Sequence, residues 1–277
     1  MASLPFLGVG LSYRWELNPL LARGALGVDW LEVTPEHFMP LTEDTRGRLA
    51  LLARRFPIVC HSLELSVGSD GDDAPGYAAA IDGAIAATSA VWHGDHLCFT
   101  RAGGYPVRAL SPVPFNEASI EVAARNIRRI KSGLAVPFAI ENITYYIANP
   151  LSDLGEAEFV CRVLREADCG LILDLHNVVA NAHNHGYDPV AFVDSLPLDR
   201  VVQIHLAGGE DEGGLRLDTH SSCSPEDVWS LFEHVVPRCP VRGVNFEMDS
   251  RFPAFSRLLS ELSRARDILR RHGADAA

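Results

Sequence analysis

The chain has 277 residues, of which 47% are hydrophobic and 22% are charged, so it is long enough to bury one large core. Its 24 basic and 36 acidic residues give a formal net charge of −12, which disfavours binding to the phosphate backbone of nucleic acids. No basic segment precedes a long apolar stretch near Met1, and no apolar run approaches the ~18 residues of a membrane span. These properties predict a cytoplasmic protein without membrane association, folded as one domain over residues 1–277 with a frayed tail at 273–277.

Eight short apolar runs have the length and composition of buried β-strands. They are Leu7–Leu11, Trp30–Val33, Ile58–His61, His96–Phe99, Phe138–Asn142, Leu171–Leu175, Val201–Leu206 and Val244–Glu247. Stretches with helical spacing separate them, and these are Leu49–Phe56, Tyr77–Val91, Glu117–Ile130, Glu156–Glu166, Pro189–Leu196, Pro225–Val235 and Phe255–Leu269. Ser224 and Asp188 each precede a proline and are expected to cap the helix that follows.

The repeated alternation of strand and helix predicts a parallel sheet. Eight strands would close this sheet. An open, doubly wound sheet would instead show a glycine-rich phosphate turn, and Gly8-Val9-Gly10 lacks the third glycine of that turn. The predicted fold is therefore α/β, with a single (β/α)8 TIM barrel.

Histidines and carboxylates stand at the C-terminal ends of the apolar runs. These residues are His61, His96, Glu141, Asp174, His205 and Glu247, and Asp218-Thr219-His220 follows another run on an expected loop. Because the C-terminal ends of barrel strands meet at one mouth, the pattern would bring about eight nitrogen and oxygen ligands together. A single catalytic ion takes about three protein ligands, so this many donors predict more than one metal ion.

The candidate ligands differ in how strongly each points to a metal. A lone histidine at a strand end is more often a hydrogen-bonded core residue than a ligand. Three buried carboxylates beside three imidazoles favour cations, because the carboxylates would otherwise be costly to bury. Asn177 fits either a metal ligand or a helix cap.

Other polar residues have less specific interpretations. His183 and His185 lie in a polar segment expected to be a loop, where His185 could support the site from behind the ligands and His183 is expected to have no such role. The acidic residues 210–212 are expected to form a solvated turn. Surface positions on helices are predicted for His93, His234 and His272.

Seven segments of the sequence resemble the motifs of a known enzyme family. They are Trp30–Met39, His61–Ser69, Ile140–Asn142, Leu173–Asn177, Asn184–Pro189, Ile204–Gly208 and Asp218–His220. In this order, from about Gly8 to the final helix, they resemble the motifs of the multinuclear non-heme iron-dependent oxidative enzymes, a family that includes the methanobactin-maturing oxygenase. The chain departs from the common family pattern at His37, Phe38 and His176, which follow strands and are expected to face the substrate.

A weaker likeness to the xylose-isomerase-like barrels, including endonuclease IV, implies a three-metal ligand set. The implied ligands are His61, His96, Glu141, Asp174, Asn177, His205, Asp218, His220 and Glu247. Asn177 stands where endonuclease IV carries histidine. Among the ligands, Glu141, Asp218 and His220 are the predicted catalytic metal-site residues, with Glu141 as a bridging carboxylate. Residues implied to contact substrate or to support the ligands are Glu36, His37, Asn142, His176 and His185.

The family resemblance implies a reaction and its cofactors. It implies oxidation of a residue, most often cysteine and otherwise Asp or Asn, in a ribosomally made precursor peptide during natural-product maturation. The cofactors would be two or three iron ions, in mixed ferrous and ferric states, with dioxygen as co-substrate. A separate leader-binding protein is the expected partner.

Two other functions share the same ligands. One is a hydrolase or isomerase that uses zinc, manganese or magnesium and acts on a phosphate ester or a sugar; the acidic charge and the closer motif match disfavour it. The other is a metal-loaded binding subunit of a maturation complex that has no turnover of its own.

Overall fold

Eight parallel strands alternate with helices and close into a barrel, which confirms the predicted TIM-barrel fold. The computed structural model describes residues 4–22, 27–71 and 76–273. The barrel strands are β1 (Gly8–Ser12), β2 (Leu31–Val33), β3 (Ile58–His61), β4 (His93–His96), β7 (Phe138–Glu141), β8 (Gly170–Asp174), β9 (Val201–Leu206) and β12 (Gly243–Phe246). Around the barrel they follow the order β1-β12-β9-β8-β7-β4-β3-β2. This order places sequential strands side by side, as the repeated strand-helix pattern predicts.

Two antiparallel hairpins are inserted between barrel strands. Their strands are β5 (Phe99–Ala102), β6 (Tyr105–Ser111), β10 (Gly208–Glu212) and β11 (Leu215–Ser222). The predicted strand His96–Phe99 is wrong, because the barrel strand ends at His96 and Phe99 begins a hairpin. The acidic residues 210–212 lie in a strand and not in the expected turn, with Glu210 half-buried and the next two residues exposed.

Helices follow the strands and cover them. They are α1 (Asn18–Ala22), α2 (Glu43–Ala53), α3 (Tyr77–Thr88), α4 (Glu117–Gly133), α5 (Glu156–Ala167), α6 (Leu175–His185), α7 (Pro189–Ser195), α8 (Glu226–Val235) and α9 (Phe255–Arg271). Short 3-10 helices lie at Trp15–Leu17, Pro35–Phe38, Leu198–Arg200 and Val236–Arg238. Within the described ranges, no helix combines the length and the apolar character that crossing a bilayer requires.

Capping residues account for several helix starts. Asp188 caps α7 as predicted, since its side chain accepts a hydrogen bond from the Val190 backbone N–H. Ser224 does not cap α8, because the residue before that helix is Pro225 and no side chain caps it. Thr42 caps α2 by accepting from the Thr45 backbone N–H, so that helix begins earlier than its apolar spacing predicts.

The chain divides into two compact units, and the prediction of a single domain stays a prediction. One unit is formed by residues 33–172 and the other by residues 4–32 with 173–273. Each has an apolar core, with Trp92 and Phe159 fully buried in the first unit and Trp30 and Trp229 in the second. Residues 274–277 of the predicted frayed tail lie outside the described residues, and Gly273 is exposed.

Candidate metal centre

Two histidines and one glutamate form a buried cluster in the unit of residues 33–172. His61, His96 and Glu141 each end a barrel strand, and β3, β4 and β7 are neighbours. His61 Nε2 lies 2.8 Å from Glu141 Oε2 and 3.3 Å from His96 Nε2, and His96 Nε2 lies 4.0 Å from the same carboxylate oxygen. We call these three residues the histidine-rich cluster. Their ligand atoms lie within 4.8 Å of one another, close enough to hold one ion.

A buried hydrogen-bond network supports the two histidines of this cluster. Ser62 Oγ donates to Asp95 Oδ2 over 2.5 Å and lies 2.9 Å from His93 Nε2. Asp95 also accepts from the backbone N–H of His96, at 2.6 Å. Ser62 and Asp95 therefore fix the chain next to both ligands. His93 is fully buried, so its predicted surface position is wrong, and burial lowers its pKa to about 4.

A glycine makes room for the His61 ring. A Cβ atom on Gly94 would lie 2.6 Å from His61 Nδ1 and 2.3 Å from Ile172 Cδ1, both closer than real Cβ contacts. The strand His93-Gly94-Asp95-His96 therefore needs glycine at this position to let the imidazole pack against it.

The predicted substrate-contacting residues of this unit occupy different environments. Glu36 Oε1 accepts from the Leu63 backbone N–H over 2.6 Å and from the Tyr77 hydroxyl, so it is tied to the segment that follows His61. Burial raises the pKa of Glu36 against the opposing effect of these bonds. His37 is exposed, whereas Asn142 is buried directly after Glu141.

A larger group of carboxylates and imidazoles lies in the other unit, and its members are buried except for the half-buried Asp218 and His220. We call it the carboxylate-rich cluster, and it consists of Glu32, Asp174, His205, Asp218, His220 and Glu247. His205 Nδ1 lies 3.1 Å from Glu247 Oε2 and 3.9 Å from Asp174 Oδ2. His205 Nε2 lies 3.0 Å from Glu32 Oε2. Two sets of three, Glu32-His205-Glu247 and Asp174-His220-Glu247, each hold their ligand atoms within 4.8 Å.

The β10-β11 hairpin supplies two members of this cluster. Asp218 and His220 lie on β11, so the expected loop is a strand. His220 Nε2 lies 2.7 Å from Asp218 Oδ1, and His220 Nδ1 lies 3.7 Å from Glu247 Oε1. His176 Nε2 lies 3.9 Å from Asp218 Oδ1, which places this predicted supporting residue beside the cluster.

Opposite charges dominate the electrostatics of the carboxylate-rich cluster. Burial alone would raise the pKa of Glu247, but His220, His205 and Arg14 lower it well below its usual value. Burial opposes protonation of His220, yet Asp218 and Glu247 raise the pKa of this imidazole well above its usual value. The nearby cationic groups therefore favour the ionised form of the Glu247 carboxylate.

Helix α6 contains or adjoins four of the predicted site residues, which are Asp174, His176, Asn177 and His185. Asp174 caps this helix, because its Oδ1 accepts from the Asn177 backbone N–H over 2.6 Å. Asn177 is buried in the first turn and is not the cap, and its role as a ligand stays a prediction. His185 is half-buried at the other end of α6, so the segment around it is helical and not the expected loop.

Several charged residues in or beside the clusters are not among the predicted site residues. They include Arg14, Glu32, Asp95 and Asp249. Glu32 could have been found, because it is a carboxylate inside the apolar strand Leu31–Val33. Arg14 and Asp249 lie outside the strands and carry no such signal. Only the fold brings Arg14 Nη2 to 3.2 Å from Glu247 Oε1.

The donor sets fit metal ions. Both clusters combine imidazole nitrogens with carboxylate oxygens, a mixture that suits ferrous iron as well as zinc or manganese. Asp174 and His205 are fully buried, and Glu247 is 7% exposed. Carboxylates at this depth are costly unless a cation neutralises them.

The sequence and the fold both have known relatives. A family model described as "RiPP precursor modification enzyme MbnB/TglH/ChrH" matches residues 8–270. A UPF0276 protein of Anaeromyxobacter sp. (strain Fw109-5) is 36% identical over 241 residues, which cover 87% of this chain and 85% of that protein. A UPF0276 protein of Caulobacter vibrioides (strain NA1000 / CB15N) is 33% identical, and the match covers 100% of both chains.

Solved structures share the fold at low identity. Endonuclease IV from Thermus thermophilus gives a TM-score of 0.56 at 18% identity and covers 96% of this chain and 100% of that chain. A D-psicose 3-epimerase from Clostridium cellulolyticum H10 gives a TM-score of 0.56 at 10% identity and covers 96% and 98% of the two chains. These likenesses show the barrel fold alone.

Proposed function

The chain belongs to the family of RiPP precursor modification enzymes, and we propose that it oxidises one residue of a ribosomally made precursor peptide with iron and dioxygen. Cysteine is the proposed modified residue, and Asp and Asn are further candidates. A separate leader-binding protein and a cytoplasmic location are part of this proposal.

One observation carries the proposal: the chain has two clusters of buried or half-buried imidazoles and carboxylates, each able to hold a cation. His61, His96 and Glu141 would hold one iron ion. His205, Glu247, Asp174 and the hairpin residues Asp218 and His220 would hold one or two more. When bound, iron supplies Lewis acidity for a substrate thiolate or carboxylate and electrons for dioxygen.

The protein's own residues prepare the site. Ser62 and Asp95 hold the backbone next to His61 and His96 and so help to position these two imidazoles. Arg14 offsets the negative charge of the buried Glu247 carboxylate before a metal binds. Five further residues remain proposed contacts to the peptide or supports of the ligands. They are the exposed His37 and the buried or half-buried Glu36, Asn142, His176 and His185. Bridging by Glu141 and ligation by Asn177 also remain proposals.

The proposal is tested by anaerobic loading of the metal-free protein with Fe²⁺. A candidate precursor peptide encoded near the gene is then added, with and without a neighbouring partner protein, and oxygen is admitted. We expect a change in peptide mass that needs both iron and oxygen and that is absent with His205→Ala. Peptide modification that continues with iron chelated and oxygen excluded would contradict the proposal. Turnover of a sugar or phosphate ester with zinc or manganese alone would support a hydrolase or isomerase instead.

A further inference from the structure

Asp249 contacts the predicted ligand His220 at two points. Its backbone N–H donates to the His220 carbonyl oxygen over 2.8 Å, and its Oδ2 lies 3.3 Å from His220 Nδ1. On the other side of the same ring, His220 Nε2 lies 2.7 Å from Asp218 Oδ1. The imidazole therefore lies between carboxylates, with Nε2 beside Asp218 and with Nδ1 nearest to Asp249 and 3.7 Å from Glu247 Oε1.

The backbone of His220 needs this support. Its φ is +44°, in the left-handed region that residues with a side chain rarely adopt. Such a conformation persists where the surrounding structure enforces it, and it is common at functional sites. The bond from the Asp249 backbone to the His220 carbonyl is one such restraint, and it acts on the same residue whose ring the Asp249 side chain meets.

Arg14 joins Asp249 to a second predicted ligand. Its Nε donates to Asp249 Oδ1 over 2.7 Å, and its Nη2 donates to Glu247 Oε1 over 3.2 Å. Nη1 donates to the Tyr13 carbonyl oxygen at 3.0 Å, and the side chain is only 12% exposed. A planar guanidinium with three fixed acceptors has little freedom, so it sets the distance between the carboxylates of Asp249 and Glu247.

We propose that Asp249 and Arg14 are positioning residues of the carboxylate-rich cluster. Asp249 accepts the Nδ1–H of His220 and so leaves Nε2 as the nitrogen that faces a metal ion. Arg14 fixes the distance between the carboxylates of Asp249 and Glu247. A ligating histidine that donates its other N–H to a carboxylate is a common arrangement, and loss of the carboxylate typically lowers metal affinity about 10- to 100-fold. The inference rests on the proposed function only in requiring that this cluster binds a metal.

The chain offers a closely matched control for Asp249. Asp194 Oδ1 lies 2.7 Å from His234 Nε2, which is another carboxylate-histidine pair in the same unit. The Asp194 side chain is 48% exposed and that of Asp249 is 44% exposed. Neither Asp194 nor His234 belongs to a cluster of candidate ligands, so Asp194→Asn changes the same chemistry away from the site.

The experiment is a titration of the full-length, metal-free protein with Co²⁺, followed by its visible absorption and by competition with a chelator. His220→Ala identifies the ion that depends on His220. We expect Asp249→Asn to lower the affinity for that ion about 10- to 100-fold and to alter its cobalt spectrum. Asp249→Glu should restore part of the affinity, Arg14→Lys should show a smaller loss than Asp249→Asn, and Asp194→Asn should match the wild type.

The outcomes separate this inference from the proposed function. Wild-type affinity and spectrum in Asp249→Asn would overturn the positioning role while the metal site stands. An equal loss in Asp249→Asn and Asp194→Asn would also overturn it, since the effect would then not be specific to His220. Absence of any His220-dependent ion in the wild type would overturn both. If Asp249→Asn does not fold, as judged by thermal unfolding of the metal-free protein, the comparison of Arg14→Lys with Asp249→Glu decides in its place.

Discussion

The histidine-rich and carboxylate-rich clusters differ in charge and in how they are supported. The first pairs two imidazoles with one carboxylate and is held by the neutral side chains of Ser62 and His93 together with Asp95. The second contains four carboxylates and two imidazoles and is balanced by Arg14. A more negative, buried donor set favours a harder and more highly charged cation. We therefore infer that the two clusters favour metal ions of different charge.

Removal of a ligand from the carboxylate-rich cluster should have the largest effect. With Asp218→Asn or His205→Ala we expect loss of at least one iron per chain and loss of peptide oxidation to background, because each change removes or neutralises one of the few protein ligands that an ion takes. Metal analysis and the peptide mass assay measure the two losses together. Asp227→Asn, which alters an exposed carboxylate paired with Arg216, is the control. Full turnover in an iron-depleted variant would refute the assignment of these ligands.

A methyl group on Gly94 should disturb the histidine-rich cluster alone. The added Cβ would displace the His61 ring, so we expect metal affinity at this cluster to fall about 10-fold or more and stability to fall by about 1–3 kcal/mol. The ion that depends on His220 should keep its affinity. Gly47→Ala, in helix α2 where a Cβ meets nothing within 4 Å, should be neutral or slightly stabilising. Metal titration and urea unfolding of both variants check this, and equal behaviour of the two would contradict it.

Loss of the Ser62 hydroxyl should give a smaller effect on the same cluster. Ser62→Ala removes the link between His93 and Asp95 and leaves buried polar atoms with fewer bonds, which costs about 1–3 kcal/mol. We expect a few-fold weaker metal binding, because His61 and His96 themselves are retained. Ser260→Ala, at an exposed helix position, serves as the control in the same titration. A loss of metal as complete as that of a ligand variant would show that Ser62 does more than support the backbone.

The buried His93 should make the metal-free protein less stable in mild acid. Its pKa is about 4 when folded and about 6.5 when unfolded, so the unfolded chain takes up the proton first as the pH falls. Stability from this residue is complete above about pH 6.5 and is lost progressively toward pH 4. Between about pH 7 and about pH 5.5 the free energy of unfolding should fall by about 1 kcal/mol more in the wild type than in His93→Gln. Urea unfolding at both pH values measures this, and identical slopes would contradict it.

Much of the site could be predicted from sequence because barrel strands end in their functional residues. His61, Glu141 and His205 each lie at or near the end of an apolar run, and a TIM barrel presents strand ends to its active site. The sequence misplaces the fourth barrel strand because His93-Gly94-Asp95-His96 has little strand propensity, and tertiary burial decides its conformation. The same error assigns His93 to the surface and conceals Asp95.

Other parts of the site depend on contacts that no local pattern encodes. Arg14 and Asp249 are 235 residues apart, and their pairing follows from closure of β1 against β12. Residues 181–185 resemble a loop in sequence because asparagine and histidine favour turns, but Asp174 starts a helix that continues through them. Hairpin residues such as Asp218 are hard to place for a similar reason, since the glycine-rich sequence before them is typical of a turn.

Metal analysis combined with Mössbauer spectroscopy, on protein produced in iron-57 medium and purified without oxygen, tests directly whether the clusters bind iron. We predict two or three irons per chain, with exchange-coupled signals and distinct parameters for the two clusters. His205→Ala should remove the signal of the carboxylate-rich cluster. Stoichiometric zinc or manganese, with no activity gained on loading with iron, would contradict the oxidative function and favour a hydrolase or isomerase.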